Sequence, residues 1–260
     1  MFGFTGTPIF ADNASKNELG KRTTKDLFDK RLHRYVITDA IRDDNVLKFS
    51  VEYWGRLKKK DGTLIDEKVS GINTREFYED DDRIDKIVDW IVANHNRKTH
   101  DRQYSAILAV GGVDALIKYY TSFKDKKENG QHLLRVATIF SFQQNEEDED
   151  ADGLIAEPDF DMAIDAPEHR HSRERLDEFF GDYNAMYGTA HSTRDRGFYT
   201  YYQDIGQRLK DRERKDFNDE NRLDILLVVN MFLTGFDAKK INTLYAVSYT
   251  HLTLPTILLV

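Results

Sequence analysis

Two tetrapeptides in this chain combine residue types that can handle a polyanion. Thr5-Gly6-Thr7-Pro8 follows a short aromatic start, and Thr234-Gly235-Phe236-Asp237 follows the apolar run at 225–229 by way of Asn230-Met231-Phe232-Leu233. A Thr-Gly pair at the end of a strand offers a hydroxyl and closely approachable backbone N–H groups to a phosphate, because glycine has no Cβ in the way. Asp237 can accept from a ribose hydroxyl or orient a cation. Taken singly, either tetrapeptide is most often a plain turn. The third candidate is basic rather than motif-like: Lys21, Arg22, Lys25, Lys30, Arg31 and Arg34 face few acids and can track a phosphate backbone.

Other combinations fail on spacing. Gly20-Lys21-Arg22-Thr23 hints at a phosphate loop, but that pattern needs glycine five residues earlier and Ser or Thr directly after the lysine, and here Ser15 and Arg22 stand in those places. Asp177-Glu178 lies between Leu176 and Phe179 on a helical stripe, which makes it surface rather than a Mg²⁺-holding pair. Pro158-Asp159 has no acid-x-Lys after it on a strand. Glu168, His169 and His171 lack a third ligand at metal spacing, so no metal site is expected. No Gly-x-Ser-x-Gly offers a serine nucleophile, and with no cysteine there is neither a thiolate site nor a disulfide framework.

The elements that must carry the Thr-Gly turns are legible from periodicity. Ile84, Ile87, Val88, Ile91 and Val92 mark one face of a helix, with Asp80, Asp81 and Asp82 at its dipole-favoured start. The 106–110 run reads as a strand covered on both faces, broken by Gly111-Gly112. A second helix follows through Val113, Leu116, Ile117 and Tyr120, then a second buried strand over 133–140. Leu176, Phe179, Phe180, Tyr183 and Tyr187, and then Phe198, Tyr201, Tyr202, Ile205 and Leu209, mark two more helices whose aromatic stripes read as core. The run at 225–229 is a third buried strand and 244–247 a candidate fourth. Upstream, residues 35–41 read as a short element entering a turn at Asp43-Asp44-Asn45, and residues 49–54 alternate as a strand does. This order predicts an α/β fold built on a parallel sheet, with ligands at the carboxyl edge of the strands.

Composition sets bounds. Lysine and arginine total 38 against 46 acids, a net charge of −8, so any phosphate contact is local. Six carboxylates fall in residues 146–152, within a loop-like acidic insertion. No apolar run is long enough to span a bilayer and no signal peptide is evident, so the expected setting is cytoplasmic, without membrane. The chain begins abruptly, one residue before its first apolar position, and a truncated start is expected.

The order and separation of Phe2-Gly3-Phe4-Thr5-Gly6-Thr7-Pro8-Ile9-Phe10, of Tyr35-Val36-Ile37-Thr38-Asp39-Ala40-Ile41-Arg42-Asp43, of Ile139-Phe140-Ser141 with Asn145-Glu146, and of 224–238 resemble the R (motor and restriction) subunit of type I restriction-modification enzymes, a superfamily 2 translocase. The resemblance runs from residue 2 to about residue 245. It implies that residues 1–10 end a first RecA-like domain (motif III), that 11–79 are linker and crossover, and that 80–245 form a second RecA-like domain, with motif IV at 106–111 and motif V at 233–237. It implies nucleotide coupling by Thr5, Gly6, Thr7, Gly235 and Asp237, and DNA contact by Thr234 and Gly235. Lys21, Arg22 and Lys25 are the basic track expected to face DNA.

The same resemblance implies ATP and Mg²⁺ in the complete subunit, none bound by this piece alone, and no catalytic residue within it. The nucleotide-binding loop, the Asp-Glu box and the nuclease are implied upstream of residue 1. The implied partners are double-stranded DNA and the methylase and specificity subunits. Where arginine fingers are expected, residues 246–260 depart from the family, look like a translated adapter, and are expected to be non-native; a genuine strand and tail is the alternative. Two rival readings stay open: the motor of another superfamily 2 enzyme, such as a type III restriction enzyme or a DNA helicase, and a non-catalytic α/β protein-interaction module.

Overall fold

The computed structural model describes residues 16–17, 20–21, 23–28, 32–33, 35, 37–45, 48–52, 80–140, 170–192, 197–229, 236 and 238–247. Before residue 80 the described elements are small. Strands β1 (Lys16–Asn17) and β2 (Gly20–Lys21) pair antiparallel. Helix α1 (Thr24–Leu27) opens on Thr23, whose N–H and hydroxyl both donate to the Asp26 carboxylate. Helix α2 (Ile37–Arg42) ends in a turn where Asp44 takes a positive φ of 56°, as the Asp-Asp-Asn signal foreshadowed. The strand expected from residue 49 is not formed: Lys48–Glu52 lies outside regular structure with Phe49 and Val51 half exposed, and residues 53–54 lie outside the described residues. Alternation alone makes no strand without a ladder partner.

From residue 80 the predicted alternation is realised. Helix α3 (Asp81–Lys98) is capped by Asp80, whose carboxylate accepts from the Arg83 N–H at 2.8 Å, and His95, Arg97 and Lys98 sit in its last turn. Strand β3 (Ser105–Ala109), helix α4 (Val113–Glu128), strand β4 (Val136–Ile139), helices α5 (Arg170–Tyr187) and α6 (Gly197–Asp211), strand β5 (Ile225–Val228) and strand β6 (Ile241–Ala246) follow. The expected 133–140 strand is shorter than its apolar run, since Leu133 is 79% exposed in the entering loop.

The sheet runs β4-β5-β3-β6, all parallel. Every residue of β3, β4 and β5 is buried, as strands covered on both faces require. Right-handed crossovers put α4 on one face and α6 on the other. Helix α3 shares the α4 face: Lys118 pairs with Asp81 at 2.8 Å, and Lys126 with Asp85 and Asp89 at 3.0 and 2.7 Å. Ile84, Val88, Ile91, Leu116, Phe123 and strands β3, β4 and β5 form one continuous core.

The two edges of the sheet differ. Helix α5 wraps the β4 edge. Its Phe179 meets Tyr120 of α4 at 4.6 Å and its Phe180 meets Tyr201 of α6 at 4.3 Å between ring centroids. The fully buried Tyr201 hydroxyl donates to the backbone carbonyl of Thr138 at 2.7 Å, closing a strand edge that would otherwise seek a partner. At the other edge, Asn242 and Ala246 of β6 are exposed and Leu244 half-buried.

Candidate functional site at the carboxyl rim

Register brings the strand ends level. Ala109 is opposite both Val228 and Ala246, and Ile139 is opposite Val228. Because all four strands point the same way, Val110, Phe140, Val229 and Val247 share one rim, the place where such sheets hold ligands. Val110, Phe140 and Val229 are buried, so the rim is an apolar floor. Gly111 and Gly112 lead from it into α4, whose first turn has no side-chain cap and carries the exposed carboxylate of Asp114. That charge opposes an anion at this helix end, so the turn does not make a phosphate site by itself. Arg83 of α3 reaches the rim from the side, donating to the Val247 carbonyl at 3.4 Å.

The segment expected to carry the chemistry leaves this rim after Val229. Thr234, Gly235 and Asp237 lie outside the described residues, as do Thr5, Gly6, Thr7 and Arg22. Phe236, between two of them, is half-buried, with the Lys210 ammonium of α6 5.4 Å from its ring centroid. Ala238 is buried and its carbonyl accepts from the Ile241 N–H at 3.1 Å, which starts β6. The backbone of Lys21 lies in β2, and Lys25 is exposed on α1.

Among the described residues no group of three His, Asp or Glu is placed to hold a metal ion. The described rim residues offer apolar side chains and glycine backbone. The described residues therefore do not by themselves form a Mg²⁺–nucleotide site.

Among the described residues a dense polar cluster sits at the opposite, amino edge, where sequence reasoning placed nothing. Asp224, directly before β5, is fully buried. Its carboxylate accepts from Arg102 Nε at 3.1 Å and Nη2 at 2.6 Å and from the Arg135 N–H at 2.8 Å, with Arg222 Nε 3.1 Å away. Burial alone would raise this carboxyl; the hydrogen bonds from Arg102 and Arg135 and the charges of Arg102 and Arg222 outweigh it and hold it below the usual range. Arg212 spans the same edge, donating to Ser105 Oγ, the Leu223 carbonyl and the Arg102 carbonyl. Residues 100–102 all take positive φ, between 50° and 64°, to bring Arg102 there. A lone acid ahead of an apolar run gives little sign of this network, because two of its partners, Arg135 and Arg102, are 89 and 122 residues away.

Close by, a shallow cleft of about 270 Å³ is lined by Asp204, Arg208, Asp211, Arg214 and Asn218. Its charges answer one another: Arg208 meets Asp204 at 3.0 Å, and Arg214 meets Asp216 at 3.2 Å. The charges of the amino edge are thus answered within the fold, which makes it a structural anchor.

Comparison with known proteins completes the picture. Residues 102–250 match the model for type I restriction enzyme subunit R domain 3, and residues 1–83 match the SWI2/SNF2 ATPase model. Over 245 residues, 94% of this chain and 24% of the relative, the sequence is 42% identical to the type I restriction enzyme SsaAORF53P endonuclease subunit of Staphylococcus saprophyticus. It is 41% identical, with the same coverage, to the SauMRSORF196P endonuclease subunit of Staphylococcus aureus. A putative type I restriction endonuclease subunit, MjaVIIP of Methanocaldococcus jannaschii, is 25% identical over 269 residues, 94% of this chain and 22% of that relative. The chain spans about a quarter of the length of these curated relatives.

Proposed function

Since the chain belongs to the type I restriction enzyme R-subunit family, we propose that it contributes the second motor lobe, and the junction leading into it, to an ATP-dependent DNA translocase that moves DNA before cleavage. The supporting observation is β5. A fully buried parallel strand, flanked on both sides by parallel strands, delivers its chain to the carboxyl rim at Val229, upstream of Thr234 and Gly235 in the sequence. Fixed in this way, a strand end can present a hydroxyl and backbone amides to a DNA phosphate with little reorganisation.

In this reading residues 1–10 close a first RecA-like domain, 11–79 connect the lobes, and 80–245 form the second. Thr234 and Gly235 contact a DNA phosphate; Thr5, Gly6, Thr7, Gly235 and Asp237 relay nucleotide state. Lys21, Arg22 and Lys25 add a phosphate track. ATP with Mg²⁺ belongs to the complete subunit, as do the methylase and specificity partners. Among the described residues no helix is long and apolar enough to cross a membrane, and the proposed setting is the cytoplasm.

The test is made in a complete R subunit carrying this segment. Thr234→Ala and Asp237→Asn should each cut DNA-stimulated ATP hydrolysis and translocation at least tenfold while leaving the unfolding transition unchanged. Wild-type translocation in both variants overturns the assignment. The 260-residue chain alone is expected to release no phosphate with ATP and DNA in a malachite-green assay.

A further inference from the structure

The unequal edges of the sheet carry an inference about residues 48–52. The β4 edge is covered by α5 and closed by Tyr201, whereas the β6 edge is bare among the described residues. In a parallel ladder, alternate residues turn both backbone groups to the same neighbour. The Val247 N–H donates to the Ala109 carbonyl, and the Ser105 N–H to the Lys240 carbonyl. With the observed register, Thr243 and Tyr245 therefore face β3, and the N–H and C=O groups of Leu244 and Ala246 point outward. Exposed backbone rows of this kind template an added strand.

One nearby segment is already tethered there. Glu52 pairs with Lys98 of α3 at 2.5 Å, and the carbonyl of the same Lys98 accepts from the side chains of Asn242 (3.0 Å) and Thr243 (3.3 Å) at the start of β6. Phe49 and Val51, both 45% exposed, alternate with Ser50 and Glu52. We propose that Lys48–Glu52 docks on β6 as an antiparallel fifth strand, Val51 opposite Leu244 and Phe49 opposite Ala246.

This register is the one that fits the side chains. Opposed residues in a ladder share a face. Tyr245 points to the α3 side, where it meets Trp90, and Thr243 shares that face. Glu52 opposite Thr243 keeps its carboxylate on the α3 side, within reach of Lys98. Phe49 and Val51 then lie on the other face beside Ala246 and Leu244, removing apolar surface from water, and the outward amides of Leu244 and Ala246 gain acceptors. An antiparallel edge strand on an otherwise parallel sheet is a common arrangement. Docking would place residues 48–52 against the strand that follows residues 234–237 in the chain. It does not depend on which ligand those residues bind.

The test is amide hydrogen exchange on the 260-residue chain at two protein concentrations. Leu244 and Ala246 should exchange at least tenfold more slowly than unstructured amides, independently of concentration. Val51→Pro, which removes the N–H facing Leu244, should release both, with the exchange of β3 and β5 unchanged. A Glu52→Lys/Lys98→Glu pair should restore protection lost in Glu52→Lys alone. Rapid exchange at Leu244 and Ala246 in the wild type overturns the proposal. So does protection that survives Val51→Pro, which assigns the edge to another occupant, or protection that rises with concentration, which assigns it to a second copy.

Discussion

His95 should make this fold acid-sensitive in a window set by burial. The side chain is fully buried in the last turn of α3, and neither ring nitrogen has a hydrogen-bond partner among the described residues. Desolvation pushes its pKa down from 6.5 to about 4; Asp224 opposes the shift, while Arg102, Arg212 and Arg222 reinforce it. The folded state therefore holds a neutral ring where the unfolded chain takes up a proton. Stability from this group is complete above pH 6.5 and is lost as pH falls toward 4. The linkage relation with these two values removes about 2 kcal/mol between pH 7.5 and 5, a substantial part of the roughly 5–15 kcal/mol of a typical domain. Urea unfolding at pH 7.5 and 5.0 measures it. His95→Leu should be near neutral or stabilising at pH 7.5, since an unpartnered polar ring is replaced by an apolar side chain. Its loss on acidification should be smaller than the wild type's by about 2 kcal/mol. His132, also depressed by burial, is common to both chains and cancels. An unchanged pH dependence in the leucine variant would refute the reasoning.

Asp224→Asn should cost about 3 kcal/mol or more, because it leaves Arg102 and Arg222 uncompensated at the amino edge; chemical denaturation at pH 7.5 reads the loss. As the Asp224 carboxyl is held below its ordinary 3.8, its contribution is present above that pH and disappears as pH falls beneath it, so the asparagine variant should converge on wild type in strong acid. Tyr201→Phe strands the Thr138 carbonyl at the β4 edge and should cost about 1–3 kcal/mol, with faster exchange confined to β4; a loss spread evenly over the sheet would count against edge closure. Replacing Lys21, Arg22 and Lys25 together with Ala should weaken low-salt DNA retention in filter binding and flatten its salt dependence; unchanged retention removes that track.

What the sequence made legible follows from which forces act locally. The heptad-like stripe Ile84, Ile87, Val88, Ile91 and the runs at 106–110 and 225–229 encode burial directly, so helices, strands and their parallel order could be read. Acids before Arg83 marked the start of α3; its basic last turn was not read beforehand. Residues 49–52 show where alternation stops: it records a preference for a half-buried pleated surface and does not name the neighbour, and the described structure gives them no ladder partner. Asp224 was silent for a different reason. A buried ion network is defined by partners from three separate loops, and no periodicity records them. The two Thr-Gly pairs were singled out by residue type and by resemblance, neither of which fixes geometry.

Strand β5 joins these two kinds of information. Its amino end is held by Asp224 and by Arg102, Arg135, Arg212 and Arg222, which sequence reasoning could not assemble; its carboxyl end leads on toward Thr234 and Gly235, which it singled out. A strand clamped at one end and buried along its length transmits position to the other end with little slack, because a core packed like a crystal does not deform gradually. The anchor and the rim end of β5 are thus one mechanical unit. Loosening the anchor should disturb that rim end before it unfolds the sheet. In a complete subunit, Asp224→Asn at a temperature well below its unfolding transition should lower translocation rate more than DNA affinity. If the rate and the affinity are both unchanged while stability falls, the anchor serves the fold alone and β5 does not couple the two edges.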